Sequence, residues 1–269
     1  MAIYDCFQFF NEEHILDLRL NILDQFVDFF VMVESTTDHQ GNKKKLNFDS
    51  KKFKKFSKKI IYIIVDDTSE SIKKPHQGGE SLVEQHQRNS LLKGLKNCHD
   101  EDLVILSDVD EIPDLTKLNM FDKKNKYAVF SQKMFNYKIN LLNETENNWL
   151  GSKICLKKNL RSPQWLRNLK FKKYPFWRLD KPKNLQIIEN GGWHFAYLQS
   201  PENISQKIKS FAHGEFNTAH FVNRENIKKK IEMGKDIFDR GINYKRVEID
   251  SSFPKYIVDN KEKFKKWII

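Results

Sequence analysis

The chain has 269 residues, enough to bury one large α/β core or two modest ones. No Pro-, Gly- or Ser-rich stretch marks a linker, so a single domain over residues 1–269 is expected. Lys and Arg outnumber Asp and Glu by 47 to 36, a formal charge of +11, which admits polyanions and anionic surfaces as partners but selects none. Three scattered cysteines, Cys6, Cys98 and Cys155, without a CxxC pair, argue against a disulfide frame or a cysteine zinc site; with no signal-peptide pattern and no run near about 18 apolar residues, the chain reads as cytoplasmic.

In chain order, residues 3–10 read as an aromatic-rich strand and Asn11-Glu12-Glu13 as the opening of a helix. Ile15, Leu18, Ile22 and Phe26, with Leu16 and Leu23 beside them, give that helix one apolar face. A second strand, residues 29–33, ends in Glu34-Ser35-Thr36-Thr37-Asp38, completing a βαβ unit that expects parallel strands. Asn11, Glu12 and Glu34 would then gather at one sheet edge, although capping and turn formation account for the same residues. Residues 36–48 form a polar loop, residues 60–65 a third strand, and residues 68–79, with Pro75 and Gly78-Gly79, a loop long enough for a lid. A helix over residues 81–96 carries Arg88 and Asn89 in its middle.

The fourth strand holds the most informative stretch, Leu103-Val104-Ile105-Leu106-Ser107-Asp108-Val109-Asp110-Glu111-Ile112-Pro113. Four apolar residues bounded by acids and a proline predict a strand buried on both faces. Asp108 and Asp110 stand two apart, which in extended backbone aims both carboxylates the same way, and Glu111 follows at once. Such a cluster repels itself unless a cation sits among it, and hard oxygen ligands suit Mg²⁺ or Mn²⁺ completed by water and substrate phosphates. The competing reading is that Asp110 and Glu111 open a helix, with Pro113 in its first turn. Asp-x-Asp after a strand also occurs in HAD-type phosphatases, but the Glu111-Ile112-Pro113 continuation does not fit them.

Four strands alternating with helical segments predict an α/β fold with a mainly parallel, doubly wound sheet flanked by helices. Beyond residue 120 the pattern changes to longer strands over residues 127–137 and 139–142, suited to antiparallel pairing. Trp149, Trp165, Trp177 and Trp193 mark an aromatic-rich region of core residues or sugar-stacking platforms. Ser200-Pro201-Glu202 starts a helix that runs to residue 211, Asn223 caps another ending near residue 241, and a basic tail keeps Phe253, Tyr256, Phe264 and Trp267 as anchors.

Asn11-Glu12-Glu13, Glu34-Ser35-Thr36-Thr37-Asp38, Arg88-Asn89 and Ser107-Asp108-Val109-Asp110-Glu111 in this order resemble the nucleotide-sugar half of GT-A fold glycosyltransferases. More narrowly, Asp5-Cys6-Phe7-Gln8-Phe9-Phe10-Asn11-Glu12, Val33-Glu34-Ser35, Ser107-Asp108-Val109-Asp110-Glu111-Ile112-Pro113, Trp193-His194-Phe195 and Phe211-Ala212-His213-Gly214-Glu215-Phe216 resemble glycosyltransferase family 17. That is the family of the β-1,4-mannosyl-glycoprotein N-acetylglucosaminyltransferase. The resemblance spans roughly residues 3–217. It implies a GT-A type, Rossmann-like fold with a nucleotide-sugar-binding half (residues 1–120), a smaller mixed or antiparallel acceptor-side half (121–222) and a helical basic extension (223–269). It also implies inverting transfer from a UDP-sugar, UDP-GlcNAc first, with Mn²⁺ or Mg²⁺, onto a glycan or lipid-linked glycan.

By the same resemblance Asn11, Glu12 and Glu34 lie near the uridine, Arg88 near the nucleotide or its phosphates, Asp108 at the ribose or the metal, and Asp110 at the metal. Glu215 is the first candidate for the base that deprotonates the acceptor, with His194 and His213 as rivals for that role or for metal ligation. Two other classes fit the composition, a basic nucleic-acid-binding protein and a non-catalytic glycan-binding protein. No recognition-helix, RRM or zinc-finger signature supports the first, so nucleic acid is not an expected partner. Within the enzyme reading, the basic tail with Phe264 and Trp267 would touch an anionic membrane.

Overall fold

The computed structural model describes residues 1–38, 41–72, 81–172, 174–175, 177–178, 182–210 and 218–269. Most of the expected lid loop (73–80) and the 211–217 segment with His213 and Glu215 lie outside these residues.

Strands β1 (Ile3–Gln8), β2 (Phe29–Ser35), β3 (Ile60–Val65) and β4 (Leu103–Leu106) lie in the order β3-β2-β1-β4, and all three of these pairings are parallel. Burial on both faces follows the two-residue period of a strand. Phe30, Met32 and Ile105 point into a core under helix α1 (Glu13–Leu23), while Val31, Val33, Val104 and Leu106 point into a second core under Leu91 and Leu95. Each such side chain, fully buried, contributes roughly 1.5–3 kcal/mol by removal from water. The helix expected over residues 81–96 is an α-helix only over α2 (Leu82–Asn89) and tightens to 3₁₀ geometry over Ser90–Leu95.

The rest of the chain extends the sheet. Strand β8 (Trp149–Leu156) pairs antiparallel with β4 and with the ten-residue β6 (Tyr127–Asn136). A register shift between Val129 and Ser131 divides β6. Its first half also pairs with β9 (Leu185–Ile188), its second with β10 (Gly192–Ala196) and β7 (Leu141–Asn143). Strand β10 carries the short β5 (Glu111–Pro113) on its other edge. Glu111 and Pro113 thus belong to a strand, and the competing reading of a helix start there is excluded by β5 and a 3₁₀ turn over Leu115–Met120. Among the described residues five strand pairings are parallel and five antiparallel. The sheet is therefore mixed rather than mainly parallel, because the later strands add β5, β7 and β8 in antiparallel pairings beside the parallel pairings of β9 and β10 with β6.

Helix α3 (Pro163–Asn168) follows β8, capped by Ser162 with Pro163 at its start. Helices α4 (Pro201–Ser210) and α5 (Arg224–Glu232) share a satellite core of Ile204, Ile208, Ile227 and Ile231. The C-terminal extension is not purely helical, since β11 (Tyr244–Arg246) joins the sheet beside β7 before α6 (Lys255–Asp259). Phe253 and Phe264 are buried in the α1 core, and Trp267 stacks on His14 at 4.6 Å. Phe264 thus packs inward rather than toward a membrane, while Trp267 is half-buried. Among the described residues no helix is long and apolar enough to cross one.

Candidate active site

In the order β3-β2-β1-β4 the chain leaves β1 toward β2 and β3 and returns to β4 on the other side, so connectivity reverses between β1 and β4. Crevices at the carboxyl ends of such strands are where open α/β sheets bind ligands. A cavity of about 290 Å³ lies there. Its lining comes from the segments after β1 (Phe9, Phe10, Glu12), β2 (Thr37, Asp38) and β4 (Asp108, Val109, Asp110).

The acidic stretch after β4 is a turn, closed by the Glu111 amide donating to the Asp108 carbonyl at 3.1 Å; the expected extended backbone is replaced by this reversal. Arginines satisfy much of its charge. Glu111 is fully buried and accepts from Arg167 Nη1 at 3.0 Å on both oxygens, from Trp149 Nε1 at 2.7 Å and from the Asp108 amide at 3.0 Å. Asp108 accepts from Arg167 Nη2 at 2.6 Å and from Arg88 Nη2 at 3.3 Å. Burial opposes the Arg167 charge, but Asp108 and Glu111 outweigh it and raise its pKa above the ordinary arginine value. Lys153 on β8 donates to the Arg167 carbonyl and so fixes the end of α3. Burial, with Arg167 beside it, brings Lys153 down to about 8.

A third arginine shapes the turn from behind. Arg19 on α1 is fully buried, pairs with both oxygens of Asp5 on β1 at 2.7 and 2.5 Å, and donates from Nη1 to the carbonyls of Asp108, Val109 and Glu111 at 3.1, 3.3 and 2.7 Å. Strand β10 supplies the facing wall. Alternation turns Trp193 and Phe195 into the core, while His194 lies opposite Glu111 in register, with Nε2 3.6 Å from Asp110 Oδ1. Burial opposes its charged form, but Asp110 outweighs it and raises the His194 pKa. Among the described residues His194 Nδ1 is buried without a hydrogen-bond partner.

The sequence matches the family model described as Glycosyltransferase family 17 over residues 1–268. The chain belongs to that family. It is accordingly a glycosyltransferase. No curated protein matches it. Among solved structures, HddC from Yersinia pseudotuberculosis is similar at 10% identity with a TM-score of 0.34, covering 70% of this chain and 90% of its own. The same protein complexed with GMP-PN gives 10% and 0.33 over the same shares. TM-scores this low leave the likeness without weight for fold or function.

Within the family 17 chain, Glu12, Arg88, Asp108, Asp110 and His194 come together on one cavity. Arg88 is buried and also holds Gln164 at 2.7 Å and Glu84 at 2.6 Å. Glu34 is not on the lining. Its carboxylate accepts from Lys44 Nζ at 2.9 Å, the amides of Asn47 and Phe48 at 2.6 and 3.1 Å, and the Tyr62 hydroxyl at 2.9 Å, pinning the loop that follows β2. Asn11 lies beside Gln199 at 3.5 Å, also off the lining. Sequence reasoning missed Arg19, Arg167 and Lys44, the last of which does line the cavity.

Among the described residues no three His, Cys, Asp or Glu side chains converge as a metal-binding group. Both Asp108 oxygens lie against arginines, and His194 Nδ1 lacks the acceptor that ordinarily orients a metal-bound imidazole. Asp110, on the cavity wall, fits an ion held by one carboxylate and completed by donor phosphates and water.

Proposed function

We propose that this glycosyltransferase moves a sugar, GlcNAc from UDP-GlcNAc first, onto a hydroxyl of a glycan or lipid-linked glycan by an inverting displacement on a GT-A type fold. The observation that carries the reading is the acidic turn Asp108–Glu111 set beside a cavity at the reversal point between β1 and β4. Asp110 is the residue that would hold a divalent ion, Mn²⁺ or Mg²⁺. Bound there with the donor, such an ion supplies Lewis-acid neutralisation of the UDP leaving group. Arg88 and Lys44 add positive charge to the same lining, where a diphosphate is stabilised by preorganised donors. Glu12 and Asp38, in the segments that follow β1 and β2, line the same cavity and would be the groups to contact the nucleoside.

In the transfer the acceptor oxygen bonds to the anomeric carbon as the bond from that carbon to the phosphate oxygen breaks. The acceptor proton passes to a protein base and the electron pair stays on UDP. Glu215 is the proposed base from its sequence context, following α4. The free thiols of Cys6, Cys98 and Cys155 agree with a reducing, cytoplasmic setting.

Thermal shift with UDP, GDP, CMP and their sugars, each with and without Mn²⁺, tests the reading. A ligand at about 100 times its Kd adds roughly 2.7 kcal/mol to stability. UDP-GlcNAc should stabilise the wild type only with Mn²⁺, and Asp110→Ala should lose that stabilisation and transfer while melting near the wild type without ligand. An unshifted melt with every nucleotide, or near-normal turnover by Asp110→Ala, would overturn the assignment.

A further inference from the structure

The cavity has two chemically different sides. Toward β1, β2 and α2 it presents ionisable groups such as Lys44, Glu84 and Arg88; toward β6, β8 and β10 it presents Met134, Trp149 and Tyr197. In the function proposed above, the first side would take the nucleoside diphosphate. The second is mostly apolar and aromatic, with His194 of β10 beside the Trp149 ring, and Trp149 alone among the five tryptophans reaches it. Trp193 and Trp267 pack against the α1 core, Trp165 packs on Tyr127 at 5.1 Å, and Trp177 is exposed away from the lining.

Trp149 is held from two directions. Its indole N–H donates to Glu111 Oε1 at 2.7 Å, and its ring lies 5.0 Å from the His194 ring, tilted by 38°. Glu111 is in turn fixed by Arg167. Gly151, two residues along β8 and so on the same face, makes room for this arrangement. A Cβ there would lie 2.8 Å from Trp149 Cδ1, 3.0 Å from Glu111 Cδ and 2.0 Å from Gln132 Oε1. The ring is therefore placed before any ligand arrives and remains partly accessible at the cavity wall. A platform already ordered loses little rotamer freedom on binding, and its flat apolar surface matches the C–H face of a pyranose better than any charged group does.

We propose that Trp149 is the stacking platform for a pyranose ring in this cavity, either the transferred sugar of the donor or the terminal sugar of the acceptor. The inference rests on the glycosyltransferase reading above and adds the recognition of the sugar itself. Two substitutions separate the ring from its hydrogen bond. Trp149→Phe keeps an aromatic face and loses the indole N–H; Trp149→Gln keeps an N–H donor for Glu111 and loses the face.

The affinities of UDP and UDP-GlcNAc are measured for both variants by calorimetry with Mn²⁺. Transfer KM is measured with p-nitrophenyl mannoside, glucoside, galactoside and N-acetylglucosaminide. If the donor sugar stacks, Trp149→Gln loses the preference for UDP-GlcNAc over UDP by about tenfold, which is 1.4 kcal/mol, with UDP itself bound as before. If the acceptor sugar stacks, the same variant raises acceptor KM by about tenfold and leaves both donor affinities alone. In either case Trp149→Phe shows the smaller loss. The opposite ranking, with Trp149→Gln the milder variant, would mean that only the bond to Glu111 matters and would overturn the proposal. Equal loss of UDP affinity in both variants would overturn it as well, by making Trp149 a support of the acidic turn. A wild type that binds no nucleotide sugar removes the glycosyltransferase chemistry assigned to this cavity, a distinct result that takes this inference with it.

Discussion

Replacing Arg19 by Met tests whether the acidic turn owes its shape to the pair behind it. The substitution leaves Asp5, fully buried, without its bidentate partner, and removes a donor from the carbonyls of Asp108, Val109 and Glu111. Breaking a buried ion pair by deleting one member costs about 3–5 kcal/mol, a large share of the roughly 5–15 kcal/mol that holds a domain folded. Urea denaturation followed by circular dichroism should therefore show Arg19→Met destabilised by at least about 3 kcal/mol. The double variant Asp5→Leu with Arg19→Met removes both charges, and apolar replacement of a whole buried pair is often neutral or stabilising. It should regain most of the lost stability. It should still bind UDP-GlcNAc with Mn²⁺ poorly in thermal shift, because the three carbonyls remain without the guanidinium that sets the turn. Loss below about 1 kcal/mol in the single variant, or wild-type ligand binding in the double one, would refute this account of how the turn is held.

Two further outcomes are expected. Glu215→Gln should lower kcat by roughly 10²–10⁴ while UDP-GlcNAc still shifts the melt as in the wild type, and an unchanged kcat would move the base elsewhere. Burial alone would raise the Asp236 pKa, but its hydrogen bonds and ion pair with Arg240, at 3.0 Å, hold it below the ordinary carboxylate value. A lowered folded pKa gives stability that is complete above the unfolded value, about 4, and lost as pH falls through the folded one. Urea midpoints compared at pH 6 and pH 3 should fall less for Asp236→Asn than for the wild type, and equal falls would remove Asp236 from the acid response.

The parallel half of the fold was legible because its signals are local. Four short apolar runs, each ending in polar residues, fixed the strands, and their alternation with helices fixed the parallel pairing of β1 to β4. The mixed remainder was recognised as a change of pattern suited to antiparallel strands, but neither its register nor the parallel pairing of β9 and β10 with β6 was. Nothing in the spacing of Trp193-His194-Phe195 says that His194 will face Glu111 across β5. Arg19 and Asp5 did leave a trace. Arg19 stands four residues after Ile15 and four before Leu23, inside the apolar stripe of α1, and Asp5 interrupts a strand buried on both faces. Buried charges need partners, so the two could have been matched to each other. Arg167 left no such trace, since it comes from a six-residue helix about sixty positions downstream whose sequence carries only its own capping signal.

That gap bears directly on the chemistry. Read from the sequence, Asp108, Asp110 and Glu111 form one acidic cluster that calls for a metal. In the structure the three carboxylates divide. Glu111 and Asp108 are bound by Arg167, with Arg88 on the second oxygen of Asp108, so a cation already sits among them and is covalently part of the chain. Asp110 faces the cavity with His194 as its neighbour at 3.6 Å. The same two arginines balance the charge of the inner acids, while Arg19 holds the carbonyls of the turn from behind. Under the proposed function, a metal carried in by a nucleotide diphosphate would have one carboxylate, Asp110, rather than three to bind. The expected consequence is that affinity for Mn²⁺ alone is weak and rises in the presence of UDP, since substrate phosphates complete the coordination that a single carboxylate begins.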